Sequence, residues 1–340
     1  MNNARTIRTI LTLLGAAAWM LASLGFIAPT QARAEPRSGT TLDLGPLGDV
    51  NSTAQDINNR GQVVGSRYPG DGRVSAFLWS AETGMVDLGT LGGPSSYATA
   101  INDRGQVVGW ATSADGIGHA FLWSAETGMV TIDHPDTVFS YAADLNDQGQ
   151  VVGAATSANG GEHAFVWSAE TGMVDLGSLG GSVSEAYGIN DRGQVVGTSA
   201  TPSGEGRAFV WSAETGMVDL DTFGGTWSAA YSINQHGEVV GHDIDGESHS
   251  FRWTAQDGMQ DLGTFGRAGS GANSINKHGQ VVGWTSHQGF VQGYVWSEKR
   301  GFELIGSLVS ARSVNDRGQV VGYLLTEAGY WHAALWTGAR

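Results

Sequence analysis

One phrase of about 44 residues recurs seven times in this chain and restricts its fold more than any other feature. The phrase runs Ile-Asn-x-x-Gly-Gln-Val-Val-Gly, continues as His-Ala-Phe-x-Trp-Ser-Ala-Glu-Thr-Gly-Met, and ends in Asp-Leu-Gly. The marker asparagines are separated by 44, 44, 44, 44, 42 and 39 residues. They are Asn58, Asn102, Asn146, Asn190, Asn234, Asn276 and Asn315. A period of this size is typical of four-stranded propeller blades rather than of helical solenoids.

Each repeat contains four short β-prone runs separated by turn residues, as residues 184–220 illustrate. We name these runs strands a, b, c and d. The a–b link at 190–193 and the c–d link at 212–216 both end in glycine and have the composition of tight turns. No helical periodicity is evident. The sequence therefore predicts an all-β fold, a seven-bladed β-propeller of four-stranded antiparallel blades.

Two repeated residue types predict how each blade is oriented. An alanine stands four residues before every marker asparagine, and small residues suit the crowded inner strand of a propeller, so we expect strand a to line the central channel. These alanines are Ala54, Ala98, Ala142, Ala186, Ala230, Ala272 and Ala311. Strand c carries a tryptophan in every repeat, which predicts aromatic packing between blades. These tryptophans are Trp79, Trp123, Trp167, Trp211, Trp253, Trp296 and Trp336.

The two ends of the repeated region complement each other. The last repeat stops after strand c, at Trp336, whereas Leu42–Gly45 reads as a strand d without its own a, b and c. Pairing of this N-terminal strand with the C-terminal blade would leave no unpaired edge between the first and last blades. We predict a ring that is closed in this way, within one domain that spans residues 35–340.

The first 34 residues have the features of an export signal. Arg5 and Arg8 precede an apolar run from Ile10 to Ile27, and Ala32-Arg33-Ala34 forms a small-x-small cleavage site. The apolar run is also just long enough to span a membrane, so a retained anchor is the alternative. We predict a signal peptide over residues 1–34 and a secreted, extracellular or periplasmic domain.

Composition excludes several classes of partner and site. The chain has 33 acidic and 18 basic residues, and the first 34 residues hold three of the basic ones and no acidic one. The remainder therefore carries a net charge of about −18, which argues against nucleic acid and anionic membranes as partners. Cysteine is absent, which excludes disulfides and thiolate sites. We expect a monomer that uses no cofactor and no metal.

The repeat also resembles a known family. His119-Ala120-Phe121 and His163-Ala164-Phe165, each followed by Trp-Ser-Ala-Glu-Thr-Gly-Met, are similar to the bacterial HAF-repeat extracellular proteins, and the resemblance covers residues 40–337. It implies export and a repeat-built β architecture, and it brings no substrate, reaction or catalytic residue. Ser75, Arg207 and Gln292 replace the histidine in three repeats, which argues against a function that needs this histidine in every blade.

The histidines that remain at this position suggest a metal cluster at first sight. Strand c lies two strand spacings outside strand a, so equivalent atoms of adjacent blades are more than about 8 Å apart. Metal ligands must lie about 2 Å from one ion. We therefore expect local hydrogen bonds for His119, His163, His249 and His332.

No enzyme signature stands out in the chain. The Gly-x-Ser-x-Gly, His-Glu-x-x-His and Gly-x-x-x-x-Gly-Lys motifs are absent. A pair of carboxylates for glycosidase chemistry is defined by a separation in space of about 5 to 10 Å, which a sequence does not reveal. Asp133, Asp136 and Glu185 are candidates for such a pair.

Variation among the repeats predicts which face binds a ligand. In antiparallel blades the a–b and c–d turns lie at one end, where the repeats are nearly uniform, and the b–c and d–a loops lie at the other, where they differ. Exposed rings beside polar groups suit a sugar or a peptide, and coverage of the blade edges is the alternative. The candidate binding surface consists of Trp110, His134, Trp227, His242, Asp245, Trp284, Tyr323, Tyr330 and Trp331.

Three functional hypotheses remain open at this point. We predict a binding or interaction module for glycans or cell-surface protein partners. The first alternative is an extracellular polysaccharide hydrolase or lyase with its carboxylates on the same face. The second is a structural surface protein without a discrete ligand. An enzyme predicts perturbed carboxylates in one place, a binding module predicts an aromatic patch, and a structural protein predicts neither.

Overall fold

The computed structural model describes residues 38–45, 50–158, 160–264, 268–287 and 289–338. The chain divides into Met1–Ala34 and Glu35–Arg340, and the predicted signal peptide lies outside the described residues. The described part contains 28 strands and no helix. It accordingly offers no helix with the length and apolar character needed to cross a membrane.

The strand pairings arrange these 28 strands in seven four-stranded blades, each in the order a-b-c-d and antiparallel throughout. We number the blades in the order of their strands a. Strands a are β2 (Asn51–Ile57), β6 (Gly92–Ile101), β10 (Thr137–Leu145), β14 (Ser184–Ile189), β18 (Trp227–Ile233), β22 (Gly269–Ile275) and β26 (Ser310–Val314). Strands b are β3 (Val63–Tyr68), β7 (Val107–Ser113), β11 (Val151–Ser157), β15 (Val195–Ala200), β19 (Val239–Asp245), β23 (Val281–His287) and β27 (Gln319–Leu325).

The outer half of each blade consists of strands c and d. Strands c are β4 (Ser75–Ser80), β8 (Gly118–Ser124), β12 (Glu162–Ser168), β16 (Gly206–Ser212), β20 (Glu247–Thr254), β24 (Phe290–Ser297) and β28 (Trp331–Gly338). Strands d of blades 1 to 6 are β5 (Gly84–Asp87), β9 (Gly128–Thr131), β13 (Gly172–Asp175), β17 (Gly216–Asp219), β21 (Gly258–Gly263) and β25 (Gly301–Leu304). A single parallel pair, Gly206 with Trp227, also joins the sheets of blades 4 and 5.

Blade 7 takes its fourth strand from the other end of the chain. Strand β1 (Gly39–Asp43) pairs antiparallel with β28, with Thr41 opposite Trp336 and Leu42 opposite Leu335. The N–H of Leu44 extends this pairing by donating to the carbonyl of Ala333. Strand d of blade 7 thus comes from the N-terminal segment that the sequence assigns to it.

The strands a are the inner strands. Each contacts the strand a of the next blade, and β26 of blade 7 contacts β2 of blade 1. The last residues of all seven strands a line one cavity of about 210 Å³. Seven strands from seven blades therefore surround a common channel, as the repeated alanines predict, and each of these alanines is almost fully buried.

The marker asparagines form a ring of hydrogen bonds around this channel. Each side-chain Nδ2 donates to the backbone carbonyl of the next marker asparagine at 2.9–3.2 Å, and Asn315 donates to Asn58. Each Oδ1 also accepts two N–H groups of its own a–b turn, as Asn190 accepts from Arg192 and Gln194. Because these side chains are buried, every blade needs the same residue here. We call this set the asparagine ring.

A second repeated bond joins strand c of one blade to strand a of the next. The N–H of the middle residue of the His-Ala-Phe triplet donates to a buried serine at the start of the next strand a, as Ala164 donates to Ser184 at 2.9 Å. The same bond joins blade 7 to blade 1, from Ala333 to Ser52 at 3.0 Å. Val309 interrupts the serine series, and the N–H of Gly293 donates instead to the carbonyl of Leu308.

Apolar packing between neighbouring blades forms the core. Seven clusters each combine residues of two neighbouring blades, and one of them joins Leu335 of blade 7 to Ile57 of blade 1. The phenylalanines of the His-Ala-Phe position are fully buried within these clusters; they are Phe77, Phe121, Phe165, Phe209 and Phe251. Their tryptophan neighbours pack against the clusters but stay partly exposed, except Trp336, which is 2% exposed. These tryptophans therefore serve packing rather than ligand contact.

The histidine of the His-Ala-Phe triplet pairs with a carboxylate beside it. Nδ1 of His163 lies 2.8 Å from Oδ2 of Asp175, which belongs to strand d of the same blade. His249 and Asp261 repeat this pair at 3.1 Å, and His332 pairs with Asp43 of β1. His119 instead pairs with Asp133 just beyond strand d. The triplet thus supplies a c–d contact, a bond to the next blade and a core side chain.

Candidate functional site

The channel has two chemically different ends. The a–b turns and the asparagine ring lie at one end, which we call the turn end. The b–c and d–a loops lie at the other, which we call the loop end. Every strand a runs from the loop end to the turn end, so its early residues belong to the first and its marker asparagine to the second.

A β-bulge lies in every strand a, three residues before the marker asparagine. In blade 4, Ala186 pairs with Gly197 and Gly188 pairs with Val196, so Tyr187 is the extra residue. The glycine of Val-Val-Gly is required at this point, because a Cβ on Gly197 would lie 1.9 Å from the carbonyl oxygen of Glu185. Bulges re-aim side chains and are frequent beside functional sites.

The bulge positions vary although their neighbours repeat. The alanine before the bulge is the same in all seven blades, whereas the bulge residue belongs to six different types. In blades 1 to 7 the bulge residues are Gln55, Thr99, Ala143, Tyr187, Tyr231, Asn273 and Arg312. The tyrosines of blades 4 and 5 stack on each other with ring centroids 5.2 Å apart, which places side chains of adjacent inner strands in contact.

Aromatic rings extend this contact through blades 5 and 6. The ring of His242 lies 5.1 Å from those of Tyr231 and Trp227 and 6.4 Å from that of Trp284. His242 and Trp284 occupy the same position of strand b, directly after Val-Val-Gly. Bulge residues and strand b residues therefore meet at the loop end of neighbouring blades.

A second group of rings occupies blades 2 and 3. Tyr97 stacks on Trp110 with centroids 4.3 Å apart, and Phe139 lies 6.4 Å from both Trp110 and Tyr141. The hydroxyls of Tyr141 and Tyr187 both donate to Oε2 of Glu185, which joins the two groups. We call the joined set the aromatic arc: Tyr97, Trp110, Phe139, Tyr141, Glu185, Tyr187, Trp227, Tyr231, His242 and Trp284.

Burial and Glu185 set the protonation states within the arc. Burial, together with the charge of Glu185, raises the pKa of Tyr141 and of Tyr187 well above its usual value. Both tyrosines therefore stay protonated and can donate to Glu185. Burial, and then the charge of Glu185, also raises the pKa of nearby Glu162 to about 7. Burial lowers the pKa of His242 to about 4, so this imidazole is neutral at physiological pH.

Four side chains near the loop end have a buried nitrogen without a partner among the described residues. They are Nδ1 of His242 and Nε of Arg312, together with Nε of Arg207 and Nε2 of His332 at the starts of two strands c. The guanidinium of Arg312 lies 5.8 Å from the ring centroid of Tyr323, and Tyr323 in turn meets Trp331 edge-on at 5.3 Å. Because buried polar groups are normally paired, such atoms mark a place where a ligand or water would complete the bonding.

The structure separates the nine predicted surface residues into three sets. Trp110, Trp227, His242 and Trp284 belong to the aromatic arc. Tyr323 and Trp331 form their own pair beside Arg312, and Tyr330 precedes Trp331 in the same b–c loop. His134 and Asp245 are exposed and are not members of the arc; His134 lies 3.8 Å from Asp136, and Asp245 pairs with Glu247 in the b–c hairpin.

Sequence reasoning missed the residues that strand a contributes. Tyr97, Tyr141, Tyr187, Tyr231 and Arg312 lie between the repeated serine or alanine and the marker asparagine. The prediction concentrated on the loops and on strand b. The variation of one position inside an otherwise repeated strand was the available signal.

The three candidate carboxylates have different environments. Asp133 accepts a hydrogen bond from Ser140 and pairs with His119, which makes it part of a blade contact. Asp136 is exposed. Glu185 alone belongs to the arc. The described residues also contain no group of three metal-ligating side chains.

Two further carboxylates, Asp56 and Asp144, belong to strands a close to the turn end. Oδ2 of Asp56 accepts the N–H of Ile101 in the next blade, and Asp144 accepts that of Ile189 in the same way. Burial, and then the charge of Asp56, raises the pKa of Asp144 to about 7. Burial also raises the pKa of Asp56. Because each caps a backbone N–H of the adjacent inner strand, we assign both a structural role.

Comparisons with known proteins bear on the fold. The sequence matches no protein-family model and no curated protein. Among solved structures, virginiamycin B lyase from Staphylococcus aureus is 11% identical, with 89% of this chain and 99% of that chain covered and a TM-score of 0.60.

Two further solved structures are similar. The β-propeller domain of the Trilobed protease from Pyrococcus furiosus is 11% identical, with 85% and 96% of the two chains covered and a TM-score of 0.59. TolB from Acinetobacter baumannii is 15% identical, with 85% of this chain and 67% of that chain covered and a TM-score of 0.52. The likenesses confirm the β-propeller class predicted from the repeats.

Proposed function

We propose that this protein is an exported β-propeller that binds a ligand at the loop end of its channel, against the aromatic arc. One observation carries the proposal: the bulge positions differ from blade to blade within a framework that otherwise repeats. Positions that only complete the fold are expected to repeat with the fold. Positions that contact an asymmetric ligand are expected to differ.

The unpaired polar atoms support binding over packing. His242 and Arg312, which lie beside the aromatic rings, each retain a buried nitrogen without a partner among the described residues, and a ligand would pair with these atoms. The tyrosine and tryptophan rings supply rigid apolar area, and the polar groups supply direction. This combination favours a binding module over a structural protein without a ligand.

Export, HAF-repeat membership and the glycan or protein nature of the ligand remain predictions. Aromatic rings beside hydroxyl, carboxylate and guanidinium groups suit either a sugar or a peptide. Binding to a glycan array, together with a panel of short peptides, tests this directly with the purified protein. We expect specific binding that Tyr231→Ala and Trp284→Ala both abolish.

A matched control separates arc contacts from general exposure. Phe290 is 46% exposed at the start of strand c in blade 6, outside the arc, so Phe290→Ala should leave binding unchanged. Circular dichroism of each variant establishes that it is folded. Unaltered binding by folded Tyr231→Ala and Trp284→Ala variants would show that the ligand contacts another surface.

One pair of carboxyls supports the enzyme alternative. Burial, and then the charge of Glu185, raises the pKa of Glu162 to about 7, whereas Glu185 accepts hydrogen bonds from two tyrosine hydroxyls. Two carboxyls in different environments can act as general acid and general base. Hydrolysis or elimination of any bound polysaccharide, lost in Glu162→Gln, would favour a hydrolase or lyase. Turnover that persists in Glu162→Gln would exclude this pair.

A further inference from the structure

The loop end carries a negative and a positive charge on opposite sides of the channel. Glu185 belongs to blade 4 and Arg312 to blade 7, three blades apart in a ring of seven. Tyr231 of blade 5 lies within the field of both. Burial is the main cause of its raised pKa, the charge of Glu185 raises it further, and that of Arg312 lowers it.

Within the described residues Arg312 has no counter-ion, although the protein is strongly acidic. The chain carries a net charge of −15, and the partly buried arginines Arg207 and Arg252 pair with Glu205 and Glu238. Among the described residues Arg312 forms no ion pair and no side-chain hydrogen bond, and it is only partly exposed. A guanidinium that is partly desolvated without an anion is poised to bind one.

Glu185 is also available to a ligand of opposite charge. Both tyrosine hydroxyls donate to Oε2, at 2.9 Å and 2.5 Å, and within the described residues Oε1 receives no hydrogen bond. The stacked rings of Tyr187 and Tyr231 lie beside it. A carboxylate flanked by aromatic rings is favourable for an ammonium group, because ring faces attract cations.

We propose that the loop end of the channel binds a zwitterionic ligand of the amino-acid or short-peptide class. The ligand carboxylate pairs with Arg312, and its ammonium group lies between Glu185 and the rings of Tyr187 and Tyr231. This inference rests on the proposed function, and it narrows the ligand from neutral glycans to molecules that carry both charges.

Isothermal titration with glycyl peptides tests the inference. The probes are Gly-Phe, Gly-Gly-Phe and Gly-Gly-Gly-Phe, each in its free form, its N-acetylated form and its C-amidated form. We expect one free peptide to bind, and each cap to weaken its affinity by at least about tenfold, since the cap leaves one charge of the site unpaired. Because the protein is unaltered, this comparison is independent of any folding defect.

Charge-removing variants identify the partner of each end. Arg312→Gln should weaken the free peptide by about tenfold and leave the amide unaffected, because the amide already lacks the carboxylate. Glu185→Gln should weaken binding of the free peptide by about tenfold and leave binding of the acetylated peptide unaffected, because the acetylated peptide already lacks the ammonium group. Arg317→Gln, on the exposed a–b turn of the same blade, and Glu214→Gln, on an exposed c–d turn, are matched controls that should change nothing.

Two outcomes would overturn the inference, and they differ in what they leave standing. If no free peptide binds, or if capped and free peptides bind equally, the ligand is not zwitterionic. If a neutral glycan binds, and if Trp284→Ala abolishes this binding whereas Arg312→Gln leaves it unchanged, the proposed function stands and the charge assignment is wrong.

Discussion

The two ends of the same seven inner strands are built in opposite ways. At the turn end one residue type occurs seven times, and each marker asparagine donates to the next blade. At the loop end, one bulge position holds six residue types, and neighbouring blades contribute rings, a carboxylate and a guanidinium. A strand of about seven residues therefore combines a uniform half with a varied half.

The difference separates residues that hold the ring together from residues that are free to recognise something. An asparagine of the ring bonds to buried groups of its own turn and of its neighbour, so a change in one blade removes hydrogen bonds in two blades. The bulge residues follow no such common pattern, although Thr99 and Asn273 each donate to a carbonyl of the next strand a. The seven repeats thereby allow the uniform and the varied halves of strand a to be compared within one protein. Substitutions in either half test whether the two halves have different roles.

The largest effect is expected at the glycine that opposes the bulge. Gly197→Ala places a methyl group where the carbonyl oxygen of Glu185 lies 1.9 Å away, and we expect a loss of about 3 kcal/mol in the free energy of unfolding. Urea denaturation measures it. Gly161→Ala is the matched control, because its Cβ would meet only the His163 ring, at 3.7 Å. A tolerated Gly197→Ala would show that the bulge can relax.

The next largest effect is expected from a comparison of two asparagines, one in the asparagine ring and one at a bulge position. Asn190→Ala leaves the N–H groups of Arg192 and Gln194 without their acceptor and removes one of the two hydrogen bonds to the carbonyl of Asn234, which should cost about 2–3 kcal/mol of unfolding free energy. Asn273→Ala, at a bulge position, loses one bond to the carbonyl of Ala311 and should cost about 1 kcal/mol or less. Equal losses of unfolding free energy in the two variants, measured by urea titration, would contradict the division of strand a into a uniform and a varied half.

A pH titration of stability tests the buried carboxyl of the turn end. The folded state raises the pKa of Asp144 from 3.8 to about 7, so its protonated form favours folding. This contribution is complete below about pH 4 and is lost as the pH rises through about 7. Asp144→Asn should reduce the dependence of the unfolding free energy on pH in this range, by at most about 1.4 kcal/mol per pH unit. An unchanged slope in urea titrations between pH 4 and 7 would contradict the assignment.

The smallest effect is expected at the histidine of the triplet. His163→Ala removes the contact with Asp175, which is partly exposed, so we expect a loss of about 1 kcal/mol or less in unfolding free energy. Ser75 and Gln292 occupy this position in blades 1 and 6, so the fold already accommodates other residues there. A loss above 2 kcal/mol in urea denaturation would give the histidine a larger structural part than this contact provides.

The repeated half of each blade could be predicted from the sequence because its signals are local and occur seven times. The a–b turn at Asn190 forms as predicted, with a positive φ of 71° at Gly193. The complementary ends place β1 beside β28. Alanine size alone identified the inner strand. A signal that occurs in seven repeats can be distinguished from the chance composition of a single segment, which is why these features could be predicted.

The varied half could be predicted only in part. Trp227, His242 and Trp284 were identified as candidates, and the structure brings their rings together. Tyr187 and Arg312 escaped because a bulge shifts side-chain alternation by one residue, and residue type alone does not reveal that shift. The loop residues His134 and Asp245 were included for their polarity, which carries no information about direction.

The most direct measurement exchanges bulge residues for ones that other blades use. The double variant Tyr231→Thr/Arg312→Gln places the residue types of blades 2 and 1 in blades 5 and 7. Urea denaturation and ligand titration of this protein together should show stability within about 2 kcal/mol of the original and loss of every glycan or peptide that the original binds. Retained binding, or a protein that no longer folds, would contradict the assignment of the bulge positions to recognition rather than to the fold.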